Sequence, residues 1–399
     1  MILQFTEEEN SFRHEVRTFF KTAMPQDMRQ RVVLGQRPTR EDLINWQRIL
    51  DRKGWAVPMW PVEYGGTGWN AVQQYIFSEE LLQAPALAPL PHVNQIGVVV
   101  IAQGTEEQKQ RFLPKIRTME WWFCQGFSEP GSGSDLASLK TRAVREGDDY
   151  IVNGQKLWTS QAHRADWMYA LVRTDPNARK QSGISYLMID MKTPGITVRP
   201  VTSIDGIHYL NEVFFDNARV PVANRLGEEN KGWDYAKYTL GHERATIAKV
   251  GVSKGRVSTA KQRAAYVMQN GKPLSEDARF RERLAALEVE LKALEITNMR
   301  VVAESMKQQG HKQDPKSSVL KMKGSELQQA TLEMLLDVAG PQAMPKRADF
   351  YLGMDDPEVT QPAWTATAAP VFYMGRAVSI FGGSNEIQHN IIAKNVLGL

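Results

Sequence analysis

A single cysteine, Cys124, in a chain of 399 residues rules out an intrachain disulfide, which excludes a disulfide-stapled scaffold and favours a reducing compartment. Long apolar runs are missing too. No stretch approaches the roughly eighteen residues that a membrane-spanning helix needs, so no membrane span is expected. Glu7, Glu8 and Glu9 follow the first residues almost at once, where a secretory signal would place basic and then apolar residues; the expectation is a cytoplasmic protein. Runs of basic residues are also lacking, and the formal net charge is only +4. Nothing in the charge pattern therefore calls for nucleic acid or a membrane surface, although a modest basic excess suits a ligand that carries phosphates. No internal repeat is visible. What is present is ordinary globular material, 42% hydrophobic and 9% aromatic, enough for buried cores in two or three domains.

The periodicity changes twice along the chain. Up to about residue 120 the pattern is helical, opening with Thr6 and Glu9 at capping-box spacing and continuing with Phe12, Val16, Phe19 and Phe20 on one face. Turn-rich pieces such as Pro61 to Gly66 separate the helices. From there to about 228, short β-branched and aromatic segments alternate with Gly, Asn, Asp and Pro, and predict strands at 150–152, 155–158, 167–172, 184–189, 196–201 and 212–215. Asn153-Gly154 reads as a two-residue hairpin between the first two, because both residue types tolerate positive φ. Helix returns after Gly232, with long stretches predicted near 233–268 and 276–308. The order predicts an α+β chain in three parts: a helical 1–122, a β-rich 123–230 and a helical 231–399.

Four places carry potential chemistry. Phe127-Ser128-Glu129-Pro130-Gly131-Ser132-Gly133-Ser134-Asp135 precedes the strand-rich part; its small residues form either a plain surface turn or a backbone cradle for a flat or phosphorylated ligand. Trp158-Thr159-Ser160 sets an aromatic plane and two hydroxyls at a strand end, so the indole is either core or a ligand contact. Glu243 falls in an apolar helical stripe of Trp233, Ala236, Leu240, Ile247 and Val250. A carboxylate so placed is either paired, with Arg244 or His242, or a general base tuned by burial. Finally, Phe381 to Gln388 is a Gly-rich turn with Ser384 and Asn385 as N-caps of a last helix, whose N-terminus could also meet an anion.

Together these segments resemble the acyl-CoA dehydrogenase family, in the right order and over nearly the whole chain. Residues 128–135 look like its first signature, Asn153 to Ser160 like its flavin-contacting strand, and 380–388 like its C-terminal signature. Within the family the chain looks most like the large subunit of pimeloyl-CoA dehydrogenase and bacterial dehydrogenases of steroid side chains. The resemblance implies an N-terminal helical domain, a middle β-domain and a C-terminal four-helix bundle, with FAD between the last two.

It also implies roles for residues. Phe127 and Ser128 should meet the flavin's pyrimidine edge, Trp158 should lie beside the isoalloxazine and Ser160 should bond near N5. Ser384 and Glu386 should approach the ADP half, while Ser134 and Arg244 should face the acyl-CoA. Glu129 reads as a loop residue of the signature with no role of its own. Many members carry the catalytic Glu where this chain has Gly382. A second branch carries it on a helix just before an Arg, as in His242-Glu243-Arg244-Ala245, which makes Glu243 the implied base and leaves Gly382 to offer its backbone N–H. The implied reaction is α,β-dehydrogenation of an acyl-CoA to the trans-2-enoyl-CoA, with the hydride passing to flavin N5 and on to an electron-transfer flavoprotein. Alternatives are an acyl-CoA oxidase and a flavin-binding, non-catalytic partner subunit. The usual Arg-x-Phe-Gly is replaced by Met268-Gln269-Asn270-Gly271, and the Gly-Gly segment after it by Ala339-Gly340-Pro341. These departures weigh against a symmetric homotetramer and point to a partner subunit; the assemblies implied are a homodimer or tetramer, or a heterotetramer with a related subunit. No metal is implied.

Overall fold

The computed structural model describes residues 5–84, 86–87, 91–246, 248–305 and 317–399, and only the backbone of residues 91, 240–246 and 305. Among these, the chain opens with helices α1 (Glu7–Thr22), α2 (Gln26–Leu34), α3 (Arg40–Lys53), α4 (Ala71–Gln83), α5 (Pro91–Gln103) and α6 (Glu106–Arg117). Strands β1 (Phe123–Gly126), β2 (Arg142–Glu146), β3 (Asp149–Lys156), β4 (Trp167–Arg173), β5 (Ile184–Asp190), β6 (Ile196–Thr202), β7 (His208–Pro221) and β8 (Arg225–Leu226) follow. The remainder is α7 (Gly232–Thr246), α8 (Val250–Ala264), a small β9–β10 hairpin (Met268–Gln269, Lys272–Pro273), then α9 (Ala278–Ser305), α10 (Ser317–Ala339), α11 (Ala348–Tyr351), α12 (Ala368–Met374) and α13 (Asn385–Ile392). This is the α+β, helical–β–helical order that the periodicity predicts.

The chain divides into two compact units, one of Met1–Trp46, Trp69–Ala88 and Arg244–Leu399, the other of Gln47–Gly68 and Pro89–Glu243. In the first, the expected capping box starts α1: Glu9 N–H donates to Thr6 Oγ1 and Thr6 N–H to Glu9 Oε2, at 3.2 and 2.8 Å. The apolar face of α1 then buries Val16 and Phe20 fully, with the Phe20 ring 5.4 Å from Phe77 of α4. Two adjacent carboxylates on α4 point to different partners. Glu80 takes hydrogen bonds from Arg13 and Arg17 of α1, and although burial opposes it, the two guanidinium groups hold its pKa below the usual carboxylate range. Glu79 accepts from Gly251 N–H and Lys254 of α8, yet burial wins and raises its pKa. The helical core behind them joins Val257 of α8, Leu284 and Leu291 of α9, and Leu320 and Leu327 of α10.

In the second unit the strands form one sheet in the order β6-β7-β3-β2-β4-β5-β8, with β1 parallel to β4. β4 and β5 are buried along nearly their whole length, which explains why they read as continuous apolar runs rather than alternating ones.

Two local expectations are overturned. Asn153-Gly154 is no hairpin: β3 runs straight through it, and the β2–β3 turn is Gly147-Asp148, where Gly147 has φ 62°. The pair instead faces an irregularity, since β3 advances two residues where β7 advances three between Val152↔Ala218 and Gly154↔Phe215. Asn217, at φ 51°, absorbs the extra residue, and its N–H donates to Asn153 Oδ1 at 2.9 Å. The helix expected over 233–268 is also two helices, α7 and α8, with Lys249 in a left-handed conformation at φ 43° before Val250. Trp233 and Val250 therefore do not share one helical stripe.

Candidate active site

β1 delivers the chain into the loop that begins at Phe127. The Phe127 ring is 5% exposed and stands edge-on to Tyr169 and Tyr186, 5.9 Å from each. It belongs to the β-domain core, so only its backbone remains to meet a ligand. Next, Glu129 and Ser132 exchange backbone hydrogen bonds of 2.9 and 3.0 Å, closing a tight turn over Pro130-Gly131. A methyl group added at Gly131 or Gly133 would meet nothing within 4 Å, so the loop's outer side is open, and Ser134 is exposed on it.

Glu129 is not a plain loop residue. It is 7% exposed and accepts from Lys140 N–H, Thr141 N–H and the Lys156 amine at 2.6, 2.9 and 2.7 Å. Lys156 is fully buried and also donates to the Phe127 and Leu171 carbonyls at 3.2 and 2.7 Å. Burial pushes its pKa down to about 8 against the pull of Glu129, while Glu129, despite burial, is held below its ordinary value by Lys156 and the two amides. This pair ties the loop to the sheet. Removing one partner would leave a buried charge uncompensated, at a cost of about 3–5 kcal/mol.

The chain leaves β3 at Lys156 and bends sharply. Leu157 N–H donates to the Ser128 carbonyl at 2.8 Å, which brings the Phe127–Ser134 loop and the Trp158–Ser160 segment together. Trp158 takes left-handed backbone, φ 61°, a conformation that costs a non-glycine residue about 1–2 kcal/mol. Its indole is 56% exposed rather than core. Ser160 is exposed beside it. Between them Thr159 is buried, and neither its hydroxyl nor the Gln161 side-chain oxygen has a hydrogen-bond partner among the described residues. A bare aromatic face, an exposed hydroxyl and unused hydrogen-bonding capacity next to an open glycine loop fit a flat, polar-edged ring system such as a flavin.

In the helical unit, Gly382 and Gly383 are both left-handed, φ 67° and 82°, and α13 starts directly after them. Among the described residues nothing accepts a hydrogen bond from the Gly382 N–H. Ser384 occupies the N-cap position but makes no cap bond; its hydroxyl bonds Glu386 and holds that exposed carboxyl below its ordinary value. Asn385 does not cap either. Its Oδ1 accepts from Lys321 and Ser325 of α10 at 2.9 and 3.1 Å. Lys321, 1% exposed, also donates to the Ser379 carbonyl at 3.2 Å, and burial pushes it down to about 8.

Glu243 and Arg244 have their backbone in α7, and their side chains lie outside the described residues. Two supporting residues, Asn211 and Lys321, lie outside every motif, and a third, Lys156, lies within the Asn153–Ser160 stretch without being assigned a role by it. Lys156 had a signal, since it shares the inward phase of Tyr150 and Val152 on β3, where a charge needs a buried partner. Among the described residues no group of three or more His, Cys, Asp or Glu side chains could hold a metal ion, and no helix is long and apolar enough to cross a membrane.

Comparison with known proteins matches three family models in series: acyl-CoA dehydrogenase N-terminal domain over residues 6–120, middle domain over 124–218 and C-terminal domain over 230–397. Acyl-CoA dehydrogenase FadE26 of Mycobacterium tuberculosis is 33% identical over 409 residues, covering 100% of this chain and 99% of that protein. Acyl-CoA dehydrogenase IpdE1 of the same organism is 34% identical over 364 residues, covering 89% and 87%. Among solved structures, the ChsE4-ChsE5 complex from Mycobacterium tuberculosis is similar with TM-score 0.84 at 32% identity, covering 100% and 99% of the two chains. The Tcur3481-Tcur3483 steroid ACAD is similar with TM-score 0.85 at 28% identity, with the same coverage.

Proposed function

The chain belongs to the acyl-CoA dehydrogenase family of flavoprotein oxidoreductases, and from that premise we propose that it introduces a trans-2 double bond into an acyl-CoA thioester with Glu243 as base. The observation that carries the reading is the exposed, left-handed Trp158 beside an open Ser-Glu-Pro-Gly loop, a surface that a flavin would cover. The cofactor is FAD, which when bound supplies the acceptor for the hydride leaving the β-carbon. The Phe127 backbone, Ser128, Trp158 and Ser160 hold its ring system; Ser384 and Glu386 take its ADP half. The domains are 1–122, 123–230 and 231–399.

Glu243 removes the α-proton. α7 buries Gly232, Tyr235, Ala236 and Thr239, and in the sequence position 243 follows at the same three- and four-residue spacing; a carboxylate serves as a general base best where desolvation raises its basicity. Negative charge then develops on the thioester oxygen. The free N–H of Gly382 donates to it, which explains why a residue without a side chain suffices at that position. Ser134 and Arg244 position the acyl-CoA. Electrons pass onward to an electron-transfer flavoprotein, and the chain assembles with copies of itself or with a related subunit. Likeness to the ChsE4-ChsE5 complex and the Tcur3481-Tcur3483 steroid ACAD supports the two-chain arrangement and a bulky, steroid-type acyl group.

Glu243→Gln keeps shape and removes the base. Stopped-flow reduction of the bound flavin, run over a broad acyl-CoA panel, should slow by about a hundredfold to ten-thousandfold while FAD content stays near wild type. A variant that reduces its flavin at nearly the wild-type rate would move the base to another acidic residue.

A further inference from the structure

We propose that Asn211, gripped by a close pair of histidines, is the positioning residue that holds Trp158, Thr159 and Ser160 in their ligand-facing conformation; this rests on the assignment of that segment to the flavin. Asn211 is fully buried on β7 and binds Thr159 twice. Its backbone carbonyl accepts from Thr159 N–H at 3.0 Å, and its Nδ2 donates to the Thr159 carbonyl at 2.9 Å. The neighbouring Tyr209 carbonyl accepts from Gln161 N–H at 2.8 Å. These bonds bracket a stretch whose flanking residues, Trp158 and Gln161, are both left-handed, φ 61° and 56°. Two strained non-glycine conformations three residues apart persist only where surrounding bonds over-determine them.

The amide of Asn211 is itself locked. Its Oδ1 lies 3.2 Å from His163 Nδ1 and 2.7 Å from His208 Nε2, and the two rings lie against each other, centroids 4.0 Å apart and planes tilted by 33°. An amide oxygen only accepts, so both of those nitrogens carry hydrogen. Turning the amide over would set its oxygen 2.9 Å from the Thr159 carbonyl, acceptor against acceptor. The histidines thus fix the orientation that Thr159 requires. Both rings border an open cavity of about 320 Å³ shared with Met191, Val198 and Pro200, so they can be replaced without entering the β-domain core.

Three variants test the role. Asn211→Asp keeps the acceptors for both imidazoles but removes the donor to Thr159. His163→Leu combined with His208→Leu removes the grip from the surface side, and His208→Gln retains an N–H donor. Apoprotein is titrated with FAD, and the visible absorption and circular dichroism of the bound flavin are recorded beside the thermal midpoint. Asn211→Asp should weaken FAD binding about tenfold, the worth of one net hydrogen bond, and should shift the flavin bands. The double histidine variant should move both readouts in the same direction, and His208→Gln should restore them. Variants that melt earlier but bind FAD with unchanged affinity and spectrum would overturn the inference, and if Asn211→Asp does not fold the histidine variants decide. Trp158→Ala separates the two levels of the argument. If it alters flavin binding while the Asn211 and histidine variants do not, only the positioning role fails; if it too leaves affinity and spectrum unchanged, the flavin assignment fails and the inference with it.

Discussion

His92, at the start of α5, shows how much a single buried ring can decide. It is 8% exposed, packs 5.7 Å from Trp122, and its Nε2 has no partner among the described residues. Burial alone lowers its pKa from 6.5 to about 3. Above pH 6.5 the ring is neutral whether folded or unfolded and costs nothing. Below it the unfolded chain takes up a proton that the folded chain refuses, so stability falls as pH drops from 6.5 toward 3, by about 1.4 kcal/mol per unit. His92→Gln should remove this slope: between pH 7 and pH 5 the wild type should lose about 2 kcal/mol more than the variant in urea unfolding followed by tryptophan fluorescence. Equal losses would show that His92 does not set the acid limb. At this same scale the sequence is an uneven guide. A motif marks Ser128, Ser134, Trp158 and Ser160 because they stand on the surface of a recurrent loop. The groups that hold that surface lie one layer beneath: Lys156, two residues before Trp158, grips Glu129 of the other loop, and Asn211 comes from β7, distant in the chain, so only the folded sheet shows what each of them holds.

At the scale of elements, the capped start of α1, the apolar strands β4 and β5, the half-exposed β6 and the long α9 follow directly from periodicity and punctuation. The hairpin expected at Asn153-Gly154 fails because a local signal is outvoted by non-local pairing. Asn-Gly occurs twice. At 270–271 it makes the tight turn of the β9–β10 hairpin, with φ 52° and 77°, whereas at 153–154 pairing with β7 and β2 keeps the strand continuous. Gly154, at φ 147°, would bring a Cβ to 2.7 Å from the Thr141 Cα, a backbone atom that cannot swing aside. At Gly271 the same atom would meet nothing within 4 Å. Gly154→Ala should therefore destabilise by about 1–3 kcal/mol and disturb the strand that leads into Trp158, while Gly271→Ala should cost only its left-handed backbone, about 1 kcal/mol. Denaturant midpoints of the two variants compare them directly, and equal losses would remove the bulge from any role in the site.

For the whole molecule, the change from helical to strand and back to helical periodicity was visible in the sequence because each part has a long run of its own pattern. How the protein completes its cofactor site was visible only as a departure. The Arg-x-Phe-Gly of the family resemblance is replaced by the β9–β10 hairpin, which presents Met268, 60% exposed, just after Tyr266, 55% exposed. Near the other end, Ile380 is 68%, Leu397 64% and Leu399 85% exposed. Apolar side chains of this size left in water favour association, and, on the proposed FAD reading, the absent arginine of the family motif, which the resemblance assigns to the FAD pyrophosphate, would leave those phosphates without one counter-charge. The chain should therefore be at least a dimer, and should reach full FAD occupancy only beside a subunit that supplies the cation. Light scattering together with the flavin-to-protein absorbance ratio measures both quantities, on the chain alone and on the chain co-produced with a related subunit. The chain alone should show sub-stoichiometric flavin that rises on co-production, and Met268→Glu should shift the mass toward monomer by placing a charge in the contact. A monodisperse, active monomer carrying one FAD per chain would refute the requirement, because the site would then be complete within a single polypeptide.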